Sequence, residues 1–99
     1  MAARSFDSFQ RDYLIDRQRA VSYLNSAFEE AMEENDMGIF YLALRAVAEA
    51  HGMSKTARDA DVSRQNLYKA LAKDGNPSFQ TLASVAKSLG FTIQFGEAG

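Results

Sequence analysis

Apolar residues recur along most of this chain at the three- and four-residue spacing that places them on one face of an α-helix. The spacing predicts a long helix over residues 17–34, with Asp16 as its N-terminal cap. A second helix is predicted over residues 37–50, capped by Asp36 and ended by Gly52. This second segment is apolar nearly all round, so we expect it to be the buried central helix.

Residues 54–73 read SKTARDADVSRQNLYKALAK, in which two short helical patterns meet at a polar corner. Ser54 is placed to cap the first helix, and Ser63 is placed to cap the second. Two helices that cross closely need a small residue at their contact, and Ala57 provides one. The corner needs a residue that tolerates positive φ, which Asp61 does, although glycine is usual there. The segment therefore predicts a helix-turn-helix.

The C-terminal part of the chain shows one more helical pattern and then a change of period. Ser78 is placed to cap a helix that runs through Leu89 and is ended by Gly90. The residues expected to be buried on that helix are Phe79, Leu82, Val85, Ala86 and Leu89.

After Gly90, the apolar residues Phe91, Ile93 and Phe95 alternate with polar ones, which is the two-residue period of a β-strand. A single strand needs a pairing partner, either a second copy of the chain or the sheet edge of another protein. A loosely ordered tail is the alternative. The predicted fold class is all-α, a compact helical bundle with a helix-turn-helix and a short C-terminal β-strand. Residues 1–36 would be a helical extension packed on a domain of residues 37–99.

The exposed face of the second helix of the predicted motif carries side chains suited to DNA bases. Arginine can pair with guanine through two hydrogen bonds, and glutamine or asparagine can pair with adenine in the same way. The same side chains could also be the solvated face of an amphipathic helix. The candidate base-reading residues are Ser63, Arg64, Gln65, Asn66 and Lys69, and the candidate phosphate contacts are Ser54, Lys55, Thr56, Arg58, Tyr68 and Lys73.

Composition excludes several kinds of site. The chain has no cysteine and one histidine, so it has neither a disulfide framework nor a cysteine-histidine metal site. It also lacks a glycine-rich phosphate loop and a pair of carboxylates in an apolar setting, so we expect a non-enzyme without a cofactor. No apolar run is long enough to cross a membrane, and the N-terminus lacks the apolar region of a signal peptide, which favours a cytoplasmic protein.

Charge is divided unevenly along the chain. The net charge is −2, but residues 1–36 carry four basic and eight acidic groups, whereas residues 37–99 carry seven basic and five acidic groups. Four glutamates, Glu29, Glu30, Glu33 and Glu34, lie near the end of the predicted long helix, where the helix dipole disfavours negative charge. They are either solvated or contact a basic partner.

Three segments together resemble a known family. They are YLNSAFEEAMEEND, FYLALRAVAEAHGMSKTARDADVSRQNLYKAL and GNPSFQTLASVAKSLG with the alternating residues after it. The chain resembles the HigA-like addiction-module antidotes, which are small antitoxins with an Xre-type helix-turn-helix of the lambda-repressor kind. In this chain Asp61 stands at the corner where that family commonly has glycine.

The resemblance implies a DNA-binding antitoxin that dimerises, represses its own operon at a double-stranded DNA operator, and neutralises a RelE/ParE-type toxin. Such toxins are generally basic, so the four glutamates are candidate toxin contacts. Two other functions fit the same sequence. One is a stand-alone Xre-type repressor without a toxin, and the other is a protein-interaction module that no longer binds DNA.

Overall fold

A computed structural model describes residues 12–98 of the chain. A helical turn at residues 12–15 leads into the long helix α1, and four shorter helices follow. Helix α2 packs against α1 and α3, and α3 packs in turn against α4 and α5. The helices are α1 (Arg17–Glu34), α2 (Gly38–His51), α3 (Met53–Asp59), α4 (Arg64–Ala70) and α5 (Phe79–Ser88).

The helical part of the predicted fold agrees with the structure, and α2 is central as its sequence indicates. The division of the chain after residue 36 stays a prediction, and the first eleven residues of the predicted extension lie outside the described residues. Within residues 12–98, no helix combines the length and apolar character needed to cross a bilayer.

The predicted C-terminal β-strand is wrong. Residues 91–98 form no regular structure, and the described residues contain no strand at all. Alternation of apolar residues does not make a strand without a neighbour, because backbone N–H and C=O groups of a lone strand have no partners. Phe91 is half-buried, and its N–H donates to the carbonyl of Ala86 at 2.9 Å. Phe95 is 94% exposed.

One apolar core joins α1, α2, α3, α4 and α5. Each helix contributes at least one buried side chain. Because this set comes from every helix, the two short helices α3 and α4 are held by the rest of the chain. The core includes Leu14, Ala20, Leu44, Val47, Ala48, Met53, Ala57, Leu67, Leu71, Val85 and Leu89.

Three of the five predicted N-terminal caps are confirmed, and the one at Ser54 is wrong. The side chains of Asp16, Ser63 and Ser78 each accept the N–H group three residues later, at 3.0 Å. Ser54 makes no such bond, because α3 begins one residue before it, at Met53. Gly52 is the residue at the cap position of α3 instead. At α2 the cap position is held by Met37 and not by the predicted Asp36, although Oδ1 of Asp36 accepts the N–H of Gly38 at 3.1 Å.

Three helices end in the same way, with one residue at positive φ. Asn35 ends α1 at φ 53°, Asp61 follows α3 at φ 59°, and Gly90 follows α5 at φ 87°. This conformation turns the chain so that the next N–H group returns to a carbonyl five residues earlier. At the corner after α3, Val62 donates to Ala57 at 2.9 Å. The left-handed conformation predicted for Asp61 is therefore confirmed.

The single histidine lies at the last residue of α2. Its Nε2 atom is buried and has no hydrogen-bond partner among the described residues. Burial lowers the pKa of His51 from 6.5, and the positive charges of Arg17 and Lys55 lower it further. A neutral imidazole packed at the end of a helix agrees with a structural role for His51.

The corner after α3 gives a test of backbone conformation. Replacing Asp61 by Ala should lower the free energy of unfolding by about 1 kcal/mol, because alanine tolerates positive φ poorly. Asp61→Gly is the matched control and should keep stability close to that of the wild type, since glycine adopts this conformation freely. Urea unfolding followed by circular dichroism measures both. Equal stability of the two variants would contradict the role given to this residue.

Candidate nucleic-acid interface

Helix α4 has one buried face and one exposed face. Leu67 on α4 and Leu71 just after it are completely buried, at 0% exposure. Ser63 caps the helix, because its Oγ accepts the N–H of Asn66. The first turn of the helix is exposed. The helix is therefore fixed by its apolar side, and the opposite side is free to meet a partner.

The candidate base-reading residues are all exposed. Arg64, Gln65, Asn66 and Lys69 are exposed along α4, and Ser63 is exposed at its cap. Their donors and acceptors can reach base edges only if the helix enters a major groove, which is wide enough to admit it. The structure exposes all five residues, and their base-reading role stays a prediction.

Tyr68 lies on the same helix between two guanidinium groups. The guanidinium carbon of Arg64 is 5.6 Å from the centre of the Tyr68 ring, and that of Arg45 is 5.4 Å from it. Both distances are within the range in which a cation is attracted to an aromatic ring. The Tyr68 ring thus favours a position of the Arg64 side chain along α4.

Arg45 is a residue that the sequence interpretation did not include in the candidate interface. It lies on α2, yet its contact with Tyr68 brings it beside α4. Its Nε is 3.9 Å from Oε1 of Glu49, one turn later on the same helix. In the sequence, Arg45 is the one arginine of a mostly apolar helix, which could have marked it as a candidate. Helical spacing alone does not show that this side of α2 meets α4.

The candidate phosphate contacts fall into two groups. Ser54, Lys55 and Arg58 are exposed on α3, and Lys73 is exposed just after α4. Thr56 differs, because it is 2% exposed and its hydroxyl donates to the carbonyl of Gly52 at 2.8 Å. Thr56 therefore stabilises the start of α3 and is not at the surface.

The position of Lys73 depends on a close approach between two backbones. A Cβ atom on Gly38 would clash with the carbonyl oxygen of Lys73. Only glycine at the start of α2 lets the segment after α4 come this near. The start of α2 thus positions Lys73 through this contact.

The segment from α3 to Lys73 has a positive charge although the whole chain is acidic. Residues 53–73 contain five lysines and arginines but two aspartates, whereas the net charge of the chain is −2. We name this exposed surface of α3 and α4 the basic face. It is defined by Lys55, Arg58, Arg64, Lys69 and Lys73.

The other candidate contacts lie away from the basic face. Phe91, Ile93 and Phe95 line an open groove together with Phe79 of α5. Phe79 is 64% exposed, so its predicted burial is wrong, because the first turn of α5 extends beyond the core. The glutamates of α1 are all exposed, and none of the ion pairs within residues 12–98 includes them. They are Glu29, Glu30, Glu33 and Glu34.

The described part of the chain offers no metal site. Residues 12–98 contain no group of three or more histidine, aspartate or glutamate side chains that could hold a metal ion.

Comparison with known proteins places the chain in a family. A family profile described as "probable addiction module antidote protein" matches residues 3–97. An uncharacterised protein of Haemophilus influenzae is 39% identical over 83 residues, covering 84% of this chain and 81% of that protein. No solved structure matches the chain. The chain belongs to the family of probable addiction module antidote proteins.

Proposed function

We propose that this protein is a DNA-binding antitoxin. It neutralises a RelE/ParE-type toxin by direct binding and represses its own operon as a homodimer. An antidote requires a toxin partner of some kind, so membership of the family supports the first activity. The basic face supports the second, and the HigA-like and Xre-type assignments rest on the resemblance of the segments quoted above.

The observation that supports DNA binding most strongly is the division of α4 into two faces. Its buried leucines hold the helix against the core, while Arg64, Gln65, Asn66 and Lys69 are exposed. Arg64, Gln65 and Asn66 lie in the first turn, the part that a recognition helix inserts into the major groove. Lys55 and Arg58 on α3 and Lys73 after the end of α4 would contact phosphates.

The proposed mechanism uses two copies of the chain on one duplex. In a dimer, two copies of α4 would enter successive major grooves about 34–36 Å apart and read a palindrome. Phosphate contacts would supply most of the affinity, and its salt dependence would follow their number. We further propose that the protein acts in the cytoplasm, without catalysis and without a cofactor.

The base-reading role of Arg64 can be measured against a distant cation. Arg64→Ala should weaken operator binding by about 1–3 kcal/mol and relax the preference at one base position, because its two hydrogen bonds to guanine are lost. Lys87→Ala removes the same charge from exposed α5 and should keep the preference intact. Competition binding with single-base operator variants measures both. Uniform weakening of every sequence by Arg64→Ala would contradict base reading.

Tyr68 has two roles that its substitutions separate. Tyr68→Phe removes the hydroxyl that would contact a phosphate but keeps the ring beside Arg64, so all DNA sequences should be weakened alike. Tyr68→Leu removes the ring as well, and we expect it to reduce the preference at the base that Arg64 reads. The same competition assay measures both variants. If Tyr68→Leu kept the full preference, the ring would not position Arg64.

Toxin neutralisation can be tested in cells. The chain should restore growth and copurify when it is co-expressed with the small protein encoded beside its own gene, if that protein is toxic alone. A co-expressed variant of the neighbour truncated to a non-toxic length is the control for expression load. An absence of both toxicity and complex would contradict the antitoxin function and favour a stand-alone repressor.

A further inference from the structure

The outer surface of α1 carries an apolar stripe that the core does not use. Val21 is 44% exposed, Phe28 is 42% exposed and Met32 is 63% exposed. At roughly 100° of rotation per residue, these three positions fall within about 40° of one another around the helix. We call this set, with exposed Asn25 between its members, the α1 stripe.

The stripe is a separate surface from the face of α1 that packs on α2. Ala20 and Ala31, both 0% exposed, mark the centre of the packed face, about 90° from the stripe. Phe28 is shared between them, since its ring meets the ring of Phe40 edge to face at 5.1 Å. The α2 helix therefore packs against the Phe28 ring of the stripe.

Acidic side chains border the stripe on one side. By the same rotation, Glu29 lies about 80° from the centre of the stripe and Glu33 about 120° from it. Glu30 lies about 180° away, on the opposite side of α1. The last turn of α1 contains no basic residue that would offset these charges. Of the four glutamates, Glu29 is therefore the one placed to reach a partner bound on the stripe.

We propose that the α1 stripe is the docking surface for the toxin, and that the toxin presents an apolar depression bordered by positive charge. This inference rests on the proposed function. The aromatic ring, the flexible thioether and Val21 would fill the depression, and Glu29 would pair with a cation at its edge. Charge complementarity of this kind selects the partner and accelerates binding.

A second copy of the chain fits this surface less well than a basic partner. Among residues 12–98, Arg17 donates to a backbone carbonyl, Arg19 lies over the Tyr13 ring, and Arg45 pairs with Glu49. Most of the remaining cations are on the basic face. Among the described residues, a second copy could therefore supply cations to Glu29 mainly from the surface proposed for DNA.

The test uses the full chain and the purified product of the open reading frame that adjoins its own. Met32→Ser should weaken the complex about tenfold or more, because it truncates the most exposed apolar side chain of the stripe. Glu29→Lys should weaken it by a similar factor. Glu30 is also one of the four candidate toxin contacts, but the stripe geometry places it on the opposite side of α1. Glu30→Lys therefore makes the same charge change away from the stripe and should alter affinity by less than about threefold. All three side chains are exposed, so each variant should keep the helical circular dichroism of the wild type.

Four outcomes would overturn the proposal. Unchanged affinity in Met32→Ser and Glu29→Lys would exclude the stripe. Equal losses in Glu29→Lys and Glu30→Lys would show general attraction by the acidic helix end. A lower molecular mass of free Met32→Ser in light scattering would assign the stripe to a second copy. Failure of the wild-type chain to bind the neighbour would overturn the antitoxin function itself, and this outcome is separate because it needs no variant.

Discussion

Burial of the inner side of α4 is the constraint on which the candidate interface depends. Helices α3 and α4 are seven residues long, which is too short for either to be stable alone in water. Leu67 and Leu71 bury their side chains completely, in a core to which α2 contributes Leu44 and Val47. Every exposed side chain on α4 owes its direction to this packing. The basic face is thus a consequence of the core beneath it.

The same dependence explains what the sequence could predict. The capping bonds of Asp16, Ser63 and Ser78 and the left-handed Asp61 are local features, decided by residues within one turn of each other. They were predicted correctly because no distant contact overrides them. The spacing of α1 was also sufficient to give its two ends at Arg17 and Glu34.

Apart from the caps predicted at Ser54 and Asp36, the predictions that failed or were missed needed a distant partner. The alternating residues after Gly90 show the period of a strand, but the described backbone has no second strand beside them. Phe79 is apolar at the right spacing, yet it lies past the end of the core. The contact of Arg45 with Tyr68 joins two helices whose relative placement a periodic pattern does not contain. Which side of an amphipathic helix meets which neighbour is a property of the packed chain.

The basic face and the α1 stripe belong to different helices, and α2 contacts both. Arg45 connects α2 with α4 through Tyr68, while Phe40 connects α2 with α1 through Phe28. The proposed function needs contacts with both DNA and a second protein, and one helix lies between the two surfaces proposed for them. This arrangement leaves both surfaces exposed in a chain of 99 residues.

The contact between Arg17 and Gly90 has a consequence for the order of events during synthesis. Nη1 of Arg17, at the start of α1, donates to the carbonyl of Gly90 at 3.4 Å, across 73 residues of chain. The ribosome adds roughly 5–20 residues per second, so this acceptor is made several seconds after its donor. Helix α1 is thus the first described helix to be translated, but its N-terminal contact with Gly90 can form only after Gly90 has been made. The exposed glutamates of α1 are consequently translated before the contact between Arg17 and Gly90 can form.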